Sequence, residues 1–504
     1  MNKSMKFLCL AALTLLAVGG KPAMAAANDT LVVAQGADAK TLDPHATNDQ
    51  PSSRVGAQIY SKLVDQDEHM NIIPGLAESW EQVDPVTTVF HLRKGVKFHN
   101  GEPLKASDVK FTLDRMKQSP SVQHIIGTVE SVEVVDDNTV KIKTKQPFGA
   151  LLSHLAHTAA SILNEKAVTE AGGAYGQNPV GTGPYKFISW QSGDRIILEA
   201  NPDYYAGEAP TKNVIFRSVP EGTNRTIGLE TGEIDIAYDI EPIDKEMVRN
   251  HKKLNLIEQP SLSTTYIGFN AKKDGPLANV KVRQAIAYTI DVDPIIEAVY
   301  NGAAEKANSP IGPKVFGYNP DSKAYGTDVA KAKELLKEAG YPNGFKIKIW
   351  TNDNPVRRDI ATIAQDQLRA AGIDATIELL EWGAYLDGTS RGEHDMFLLG
   401  WVSVTGDADY GLYPLFHSTQ HGGAGNRSFY SNPEVDKLLE AGRVASSADE
   451  RKELYHKAQE IIQDEVPIYT LVYGTQNVGT QKNVEGFTMH PAGHHRIYGA
   501  KKVN

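Results

Sequence analysis

The hydrophobic and polar positions near the start of the chain predict a strand, a loop and a helix in that order. Residues 29–35, DTLVVAQ, form an apolar run that is typical of a strand. The polar stretch 36–51 predicts a long loop. Val55, Ile59 and Leu63 then recur every fourth residue, which predicts one apolar face of a helix.

Two later stretches alternate apolar and polar residues around polar turns. Residues 131–144 do so around Asp-Asp-Asn, and residues 185–200 do so around Ser-Gly-Asp. This alternation predicts two β-hairpins. Between them, Ser107 can cap a helix, and Gly-Thr-Gly-Pro at 181–184 predicts a tight chain reversal. It does not predict a phosphate-binding loop, because a strand rather than a helix follows.

Beyond residue 275, predicted strands and helices alternate. Asp328 predicts the N-cap of an amphipathic helix that stops before Gly340. The elements that follow are strand 345–350, a helix to about Ala371, strand 373–380, a short helix near Trp382 and strand 395–401. This is the βαβ pattern of a parallel sheet.

The carboxyl ends of these strands predict where a ligand lies. In open α/β sheets, ligands bind in the crevice outside the carboxyl ends of the strands. Two such ends are 350–353, WTND, and 401–404, WVSV, and the helix that begins at Trp382 approaches the same edge. We therefore expect a binding crevice here, although each Trp is as consistent with an ordinary core or edge position.

The segment GWVSVTGDADYG, residues 400–411, follows the third strand and contains Asp407 and Asp409. A close pair of carboxylates can serve acid–base catalysis. The same acids can bind a cation or a ligand's amino group, or cap a following helix. We favour a loop with a capping acid over a catalytic dyad.

The N-terminal segment predicts export. Two lysines precede an apolar run at 7–18, and Ala-Met-Ala at 23–25 offers small residues before a cleavage point. This is the pattern of a cleavable signal peptide, residues 1–25, and it is too short to be a membrane span. Cys9 lies inside the apolar run, which argues against a lipid anchor. We expect a soluble periplasmic protein that is not inserted in a membrane.

Composition narrows the function further. The net charge of −10 over 504 residues becomes about −13 after removal of residues 1–25, which carry three lysines and no acid. The single cysteine is lost with them, so no disulfide, thiol nucleophile or cysteine-bound metal is expected. An acidic chain is also unsuited to nucleic acid. A chain of this length is expected to form two or more lobes.

Six motifs occur in order, and the match that they carry runs over nearly the whole mature chain. They are LRKGVKFHNGEPLKASDVKFTL (92–113), NPVGTGPYKF (178–187), LETGEIDIAYDI (229–240), VKVRQAIAYTID (280–291), AKELLKEAGYPNGF (332–345) and NRSFYSNPEVDKLLEAGR (426–443). In these motifs the chain resembles the periplasmic peptide-binding family of ABC importers, which contains dipeptide-, oligopeptide-, glutathione- and nickel-binding proteins.

This resemblance implies an α/β fold like that of periplasmic binding proteins, with two ligand-enclosing lobes and an inserted extra domain. The implied division is a discontinuous domain I (28–62, 187–272 and 478–504), an inserted domain II (63–186) and an α/β domain III (273–477). The implied function is capture of a short peptide or a glutathione-like ligand and delivery to an inner-membrane ABC permease. It implies a monomer, no cofactor and no enzymatic activity.

The chain departs from the dipeptide-binding pattern at two positions. In such proteins an aspartate just after the GW strand holds the ligand's amino group, and an arginine at the end of an earlier strand holds its carboxylate. Val404 and Thr351 occupy the corresponding places here. An unpaired buried charge costs several kcal/mol, so an ordinary dipeptide is disfavoured. The stretches WTNDN (350–354) and GWVSVTGDADYGLYPLF (400–416) look most like the glutathione-binding branch of the family.

Other side chains can replace the missing anchors. Arg357 or Arg358 can hold a carboxylate, Asp407 can hold an amine, and Asn426 or Arg427 can contribute from the next loop, although a solvated helix start explains both Arg357 and Arg358 equally well. The candidate ligand-binding residues are Thr47, Asn48, Thr351, Arg357, Arg358, Trp382, Trp401, Val402, Val404, Asp407, Asn426 and Arg427.

Two other functions remain open on the residues. One is a secreted hydrolase that uses Asp407 and Asp409. The other is a nickel, metal-chelate or haem carrier, because His417 and His421 are four residues apart and His490, His494 and His495 cluster near the C-terminus. The glycines after His421 predict a loop there, which weakens the metal hypothesis.

Overall fold

The computed structural model describes residues 29–272, 274–445 and 447–503. The predicted signal peptide and Cys9 lie outside the described residues, so both stay predictions. Within the described part of the chain, no helix combines the length and the hydropathy that a membrane span requires.

The described residues form strands and helices in the following chain order. The strands are β1 (Thr30–Gln35), β2 (Val64–Gln66), β3 (Ile72–Pro74), β4 (Ala77–Asp84), β5 (Thr87–Leu92), β6 (Val129–Asp136), β7 (Thr139–Thr144), β8 (Tyr185–Gln191), β9 (Arg195–Ala200), β10 (Asn213–Ser218), β11 (Ile236–Ala237), β12 (Leu254–Phe269), β13 (Glu305–Lys306), β14 (Lys346–Asn352), β15 (Asp374–Leu380), β16 (Met396–Val402), β17 (Ile468–Gln481), β18 (Val484–Glu485) and β19 (Lys501–Lys502). The α-helices are α1 (Gln50–Ile59), α2 (Ala106–Met116), α3 (Leu151–Leu155), α4 (Glu165–Ala171), α5 (Gly222–Thr231), α6 (Lys245–Asn250), α7 (Val280–Thr289), α8 (Val292–Tyr300), α9 (Val329–Glu338), α10 (Pro355–Arg369), α11 (Trp382–Arg391), α12 (Ala408–Phe416), α13 (Pro433–Val444) and α14 (Ala448–Glu465).

One large mixed sheet runs through the molecule in the order β15-β14-β16-β12-β17-β11-β1-β10-β9-β8. At one end, β14 pairs in parallel with both β15 and β16, and α10 and α11 connect them. The predicted βαβ pattern is therefore confirmed. At the other end, β1 pairs in parallel with β10 and β11. The sheet thus has two parallel regions, which we call the second lobe (β14–β16) and the first lobe (β1 and β8–β11).

The long strands β12 and β17 connect the two lobes. They pair with each other along most of their length, and the register shifts between Pro260 and Thr264. Beyond the shift, β12 also pairs with β16 of the second lobe, whereas the far end of β17 pairs with β11 of the first. The two strands therefore pass from one lobe to the other near this register shift. The division into three domains stays a prediction.

The segment between β2 and α4 forms a separate four-stranded antiparallel sheet, β4-β5-β7-β6. The predicted hairpin 131–144 corresponds to β6 and β7, and the hairpin 185–200 to β8 and β9. The apolar core of this inserted segment is continuous with side chains of the second lobe, among them Tyr410 and Phe416. The inserted segment therefore packs against the second lobe.

Gly181 and Gly183 explain the GTGP stretch. A Cβ atom at Gly181 would lie 2.1 Å from the carbonyl oxygen of Ile59, and one at Gly183 would lie 2.5 Å from its carbonyl carbon. His99 fixes the same turn, because its Nε2 lies 3.0 Å from the carbonyl oxygen of Gly183. The stretch is a packed chain reversal before β8, as the sequence predicts.

Two local predictions were wrong. Leu63 does not belong to the first helix, because α1 ends at Ile59. Ser107 is not the N-cap of α2: the helix begins at Ala106, and the Asp108 carboxylate accepts the Lys105 backbone N–H at 3.0 Å. Asp108, at the third position of the helix, thus makes the bond of a capping box in which the acid accepts the N–H of the N-cap residue itself.

A substitution at Gly344 tests the close backbone packing at the start of β14 and β15. It has φ +72° just before β14, and a Cβ there would lie 1.8 Å from the carbonyl oxygen of Gly372, which precedes β15. We expect Gly344→Ala to lower the free energy of unfolding by about 2–4 kcal/mol, from backbone strain plus overpacking. Gly340→Ala is the control, because its φ is +90° but its surroundings are open. Urea titration should show a loss of about 1 kcal/mol there; equal losses at both sites would contradict the predicted clash.

Candidate ligand-binding site

A cleft of about 320 Å³ lies between the two lobes. Ser261, Ser263, Thr264 and Thr265 of β12, with Thr475 and Gln476 of β17, contribute to it where these strands cross. Side chains of the inserted segment, His157 and Thr158, and of the C-terminal segment, His494, contribute as well. The cleft is thus bounded by every major part of the described chain.

The wall on the first lobe lies at the carboxyl ends of its parallel strands. Gly36 and Ala37 directly follow β1, and Asp239 comes just after β11. Arg54 of α1 donates to both carboxylate oxygens of Asp239, at 2.7 and 2.9 Å. Arg225 donates to main-chain carbonyls, including that of Asp239 at 2.8 Å. On this wall Arg54 is therefore paired with a carboxylate, whereas Arg225 is held by main-chain carbonyls.

The wall on the second lobe lies at the carboxyl ends of β14 and β16. Asn352 ends β14, and Arg357 in the first turn of α10 donates from Nη1 to the Asn352 Oδ1 at 2.9 Å. The Arg357 guanidinium also lies 5.6 Å from the ring centre of Trp382, a cation–π geometry. Trp401 at the end of β16 donates from Nε1 to the carbonyl oxygen of Tyr410 at 3.1 Å. Aromatic and guanidinium groups therefore form this wall.

The two walls touch each other around the rim of the cleft. Trp382 donates to Asp49 at 3.2 Å, and the Asn48 side chain donates to the Tyr410 hydroxyl at 2.8 Å. Lys40 and Asp387 form an ion pair at 2.5 Å. These contacts join the first lobe to the second, so the structure shows the lobes in contact over the cleft.

A smaller cavity of about 110 Å³ adjoins the cleft. Val404, His157 and His494 line both spaces. Burial lowers the pKa of His157 and of His494 well below the usual histidine value. These imidazoles are therefore neutral near pH 7 and add no charge to the cleft.

Seven of the twelve candidate residues line the cleft. They are Asn48, Arg357, Trp382, Trp401, Val402, Val404 and Arg427. The structure thus brings together residues that are hundreds of positions apart in the chain. Their contact with a ligand stays a prediction.

The structure places the other five candidates outside the cleft lining. Thr351 is fully buried in β14, and its neighbour Asn352 faces the cleft instead. Thr47 donates to Asp49, and Arg358 is a surface residue that pairs with Glu221 at 3.4 Å. Asn426 is buried and donates to main-chain carbonyls within its own loop.

The fifth of these, Asp407, is the N-cap of α12 and accepts the backbone N–H of Asp409 at 2.9 Å. It also pairs with Arg451 at 2.7 Å. Asp409 pairs separately with Arg443 at 2.6 Å and with His154 at 3.1 Å, and it is fully buried. Each acid is thus engaged with its own arginine, which is a structural arrangement rather than a shared-proton dyad.

The histidine clusters do not form a metal site in the described ranges. No group of three or more His, Cys, Asp or Glu side chains there is arranged to hold a metal ion. His417 lies at the end of α12 beside Asp436 and Glu440, whereas His421 lies 2.9 Å from the carbonyl oxygen of Tyr430. The two imidazoles are therefore held by different partners.

Sequence reasoning missed the first-lobe wall, in particular Arg54, Arg225 and Asp239. A signal was available, because the strand predicted at 29–35 also has a carboxyl end at which the same crevice rule applies. Asp239 also lies in the stretch 229–240, which is one of the six motifs that carry the resemblance to a family.

Comparison with known proteins shows where this architecture recurs. Residues 71–423 match the family model described as bacterial extracellular solute-binding proteins, family 5 middle. The glutathione-binding protein GsiB of Pectobacterium atrosepticum is 34% identical over 493 residues, which cover 95% of this chain and 96% of that protein. The dipeptide-binding protein of Escherichia coli K12 is 33% identical over 471 residues, 87% of this chain and 88% of that one.

Solved structures agree with the sequence relatives. A periplasmic binding protein from Helicobacter pylori in complex with the peptide STSA has a TM-score of 0.88 and 33% identity, covering 94% of this chain and 98% of that one. A dipeptide-binding protein from Pseudoalteromonas sp. SM9913 in complex with Met-Leu has a TM-score of 0.90 and 27% identity, covering 94% and 100%. The predicted fold class is confirmed.

Proposed function

Because this chain belongs to the bacterial extracellular solute-binding proteins of family 5, we propose that it captures a short peptide or a glutathione-like ligand in the interlobe cleft and delivers it to an ABC permease. The relatives that bind glutathione and those that bind dipeptides resemble this chain about equally. The relatives therefore do not decide between these ligands, and we infer the ligand from the residues that line the cleft.

The observation that carries the proposal is the position of the cleft. It lies between two parallel-strand edges that face each other, and β12 and β17 connect the two lobes beneath it. A register shift in a pair of connecting strands is a place where a small change in backbone angles moves one lobe relative to the other. A ligand that contacts both walls stabilises the closed arrangement by its differential affinity for it.

The residue at position 404 favours a glutathione-like ligand over an ordinary dipeptide. Val404 is 8% exposed and lines the cleft, and the position offers no carboxylate for an amino group. The neighbouring Asp407 is occupied by Arg451. A ligand whose amino group lies elsewhere in the cleft fits this wall better.

The remaining parts of the proposal follow from the family and from the N-terminal pattern. We propose export to the periplasm through cleavage of residues 1–25, action as a monomer and delivery to an inner-membrane permease. We propose no catalytic activity, because Asp407 and Asp409 are each engaged by an arginine. Purified protein should therefore show no turnover of peptides.

Mass spectrometry of the small molecules that co-purify with the protein tests the proposed ligand class. After unfolding and refolding to remove them, thermal melting with glutathione, dipeptides, tripeptides and nickel should show which ligand stabilises the fold. A ligand at a hundredfold excess over its Kd stabilises by about 2.7 kcal/mol. Stabilisation by nickel alone, with no effect of any peptide, would overturn the proposal.

Val404→Asp tests the role of position 404. The variant places a carboxylate at a position that is only 8% exposed, so the ligand-free protein should lose about 1–3 kcal/mol of stability. A dipeptide with a free amino group should then bind at least about tenfold tighter than to the wild type, a gain of about 1.4 kcal/mol. Val404→Asn, which has the same shape without the charge, is the control. Equal dipeptide affinity in both variants, measured by calorimetry, would contradict this assignment.

A further inference from the structure

We propose that the cleft selects short ligands that carry two carboxylates, one held by Arg357 and the other by Arg427. The inference rests on the proposed function and narrows its ligand class to anionic molecules such as glutathione. It follows from the charge balance of the cleft lining and from the positions of these two guanidinium groups.

Four arginines and two aspartates line the cleft. Arg54 and Asp239 neutralise each other through two hydrogen bonds. Arg225 donates to the carbonyl oxygens of Val219, Pro220, Tyr238 and Asp239. Arg225 also lacks a carboxylate partner, but main-chain carbonyls occupy its Nε, Nη1 and Nη2 donors. Arg357 and Arg427 are therefore the lining guanidinium groups that have neither a carboxylate partner nor a full set of occupied donors.

Arg427 is 9% exposed and reaches the cleft from the loop after α12. Its Nε donates to the Thr389 hydroxyl at 3.1 Å, and its Nη1 lies 3.4 Å from the carbonyl oxygen of Gly422. Among the described residues, no carboxylate lies at ion-pair distance from this guanidinium. Burial lowers the pKa of Arg427, which is the direction expected of a cation with insufficient compensation.

The two aspartates whose charges act on Arg427, Asp387 and Asp49, are already engaged by other groups. Asp387 pairs with Lys40 at 2.5 Å. Asp49 accepts from the Trp382 indole and from the N–H of Ser52 in α1. A buried guanidinium without a carboxylate partner is costly, so a ligand carboxylate is the partner that would complete the site.

Arg357 presents the second guanidinium. Only its Nη1 has a hydrogen-bond acceptor within the described chain, the side-chain oxygen of Asn352. Its planar group lies over Trp382, which fixes its orientation. A guanidinium held in this way offers the remaining donors for bidentate binding of a carboxylate.

The helix α11 gives a scale for the distance between the two guanidinium groups, because each of them contacts one of its side chains. Arg357 contacts Trp382 at the start of α11, and Arg427 contacts Thr389 near its end. These two contact positions are about 10 Å apart along the axis, at 1.5 Å per residue. An extended ligand of three residues spans a similar length. A tripeptide-sized molecule with a carboxylate at each end therefore matches the pair.

Calorimetry with three probes tests the inference on the wild-type protein. The probes are glutathione, its monoethyl ester at the glycine carboxyl group, and Ala-Ala. Glutathione should bind about 30-fold or more tightly than the ester, because one guanidinium then loses its ionic partner. This comparison needs no substitution and is unaffected by any folding defect.

Arg357→Met and Arg427→Met should each weaken glutathione binding by about 30-fold or more. The variant that lacks the arginine facing the glycine carboxylate should bind the ester and glutathione with equal affinity, because that carboxylate no longer has an ionic partner. Arg358→Met is the matched control: the neighbouring arginine points to the surface and should leave binding unchanged. Thermal melting of each variant reports whether it folds.

The outcomes separate the two proposals. If Ala-Ala and the ester bind as tightly as glutathione, the two-carboxylate inference is overturned and peptide capture stands. If none of the three probes binds to the refolded wild type, the proposed ligand class fails and the inference fails with it.

Discussion

Asp409→Asn is expected to lower the free energy of unfolding by about 3–5 kcal/mol, because it leaves the buried Arg443 guanidinium without its counter-charge. Asp409 is fully buried in α12 and receives Arg443 from α13 at 2.6 Å. Burial alone would raise the pKa of Asp409, but the charge of Arg443 and the contact with His154 reverse this and lower it. The Asp409 carboxylate is therefore ionised near pH 7.

This pair also links the second lobe to the inserted segment. Arg443 donates to the carbonyl oxygen of His124, and His154 of α3 lies 3.1 Å from Asp409. Asp464→Asn is the control, because Asp464 forms an exposed pair with Lys323 and should cost less than about 1 kcal/mol. Urea unfolding of the two variants with unchanged slope gives the comparison. A loss below 1 kcal/mol for Asp409→Asn would show that the buried pair contributes little.

Acidification from pH 7 to pH 5 is expected to destabilise the protein through its buried neutral histidines. Burial lowers the pKa of His99 and of His490 to about 4, with the charges of Lys62 and Arg496 contributing at His490. Their ring Nδ1 atoms accept backbone N–H groups, from Gly181 and Ala492 respectively. Protonation in the folded state would break these bonds.

The sign follows from the unfolded chain, where a histidine pKa is about 6.5. Above that value neither state binds the proton and stability is constant. Below pH 6.5 the histidine is protonated in the unfolded state but not in the folded state. Stability therefore falls with pH until the pH reaches the folded-state pKa of about 4. At pH 5 each such histidine costs roughly 2 kcal/mol.

Chemical unfolding at several pH values measures this effect. His490→Gln keeps a hydrogen-bond acceptor but does not titrate, so its stability should fall less steeply between pH 6.5 and pH 5 than that of the wild type. His69→Gln is a control at an exposed position that should leave the slope unchanged. A wild-type stability that is flat from pH 7 to pH 5 would contradict the neutral state of these imidazoles.

The hydrophobic pattern predicts the strands and helices of the second lobe well, because these elements follow one another directly in the sequence. The run β14–α10–β15–α11–β16 has regular periodicity, and its predicted bounds agree closely with the structure. The strands β12 and β17 were not predicted. The pattern of β12 is interrupted by Pro260 and by Ser261, Ser263, Thr264 and Thr265, and that of β17 by Thr475 and Gln476. These polar residues line the cleft where the register shifts.

The candidate site was predictable in position but not residue by residue. Alternation along β14 buries Thr351 and turns Asn352 toward the cleft, so a shift of one residue reverses which side chain faces the cleft. Asp407 was predicted as a ligand contact, yet the structure engages it as an N-cap and as the partner of Arg451. The Arg54–Asp239 pair depends on long-range pairing of β1 with the short strand β11, which no local pattern reveals.

Intrinsic tryptophan fluorescence tests most directly whether the ligand binds between the lobes. Trp382 and Trp401 line the cleft, one next to the first-lobe loop and the other at the end of β16. Titration of refolded wild-type protein with glutathione should change the emission saturably. A double variant with Trp382→Phe and Trp401→Phe should lose most of that change. An emission change that persists undiminished in the double variant, or its absence in the wild type at saturating glutathione, would contradict binding in this cleft.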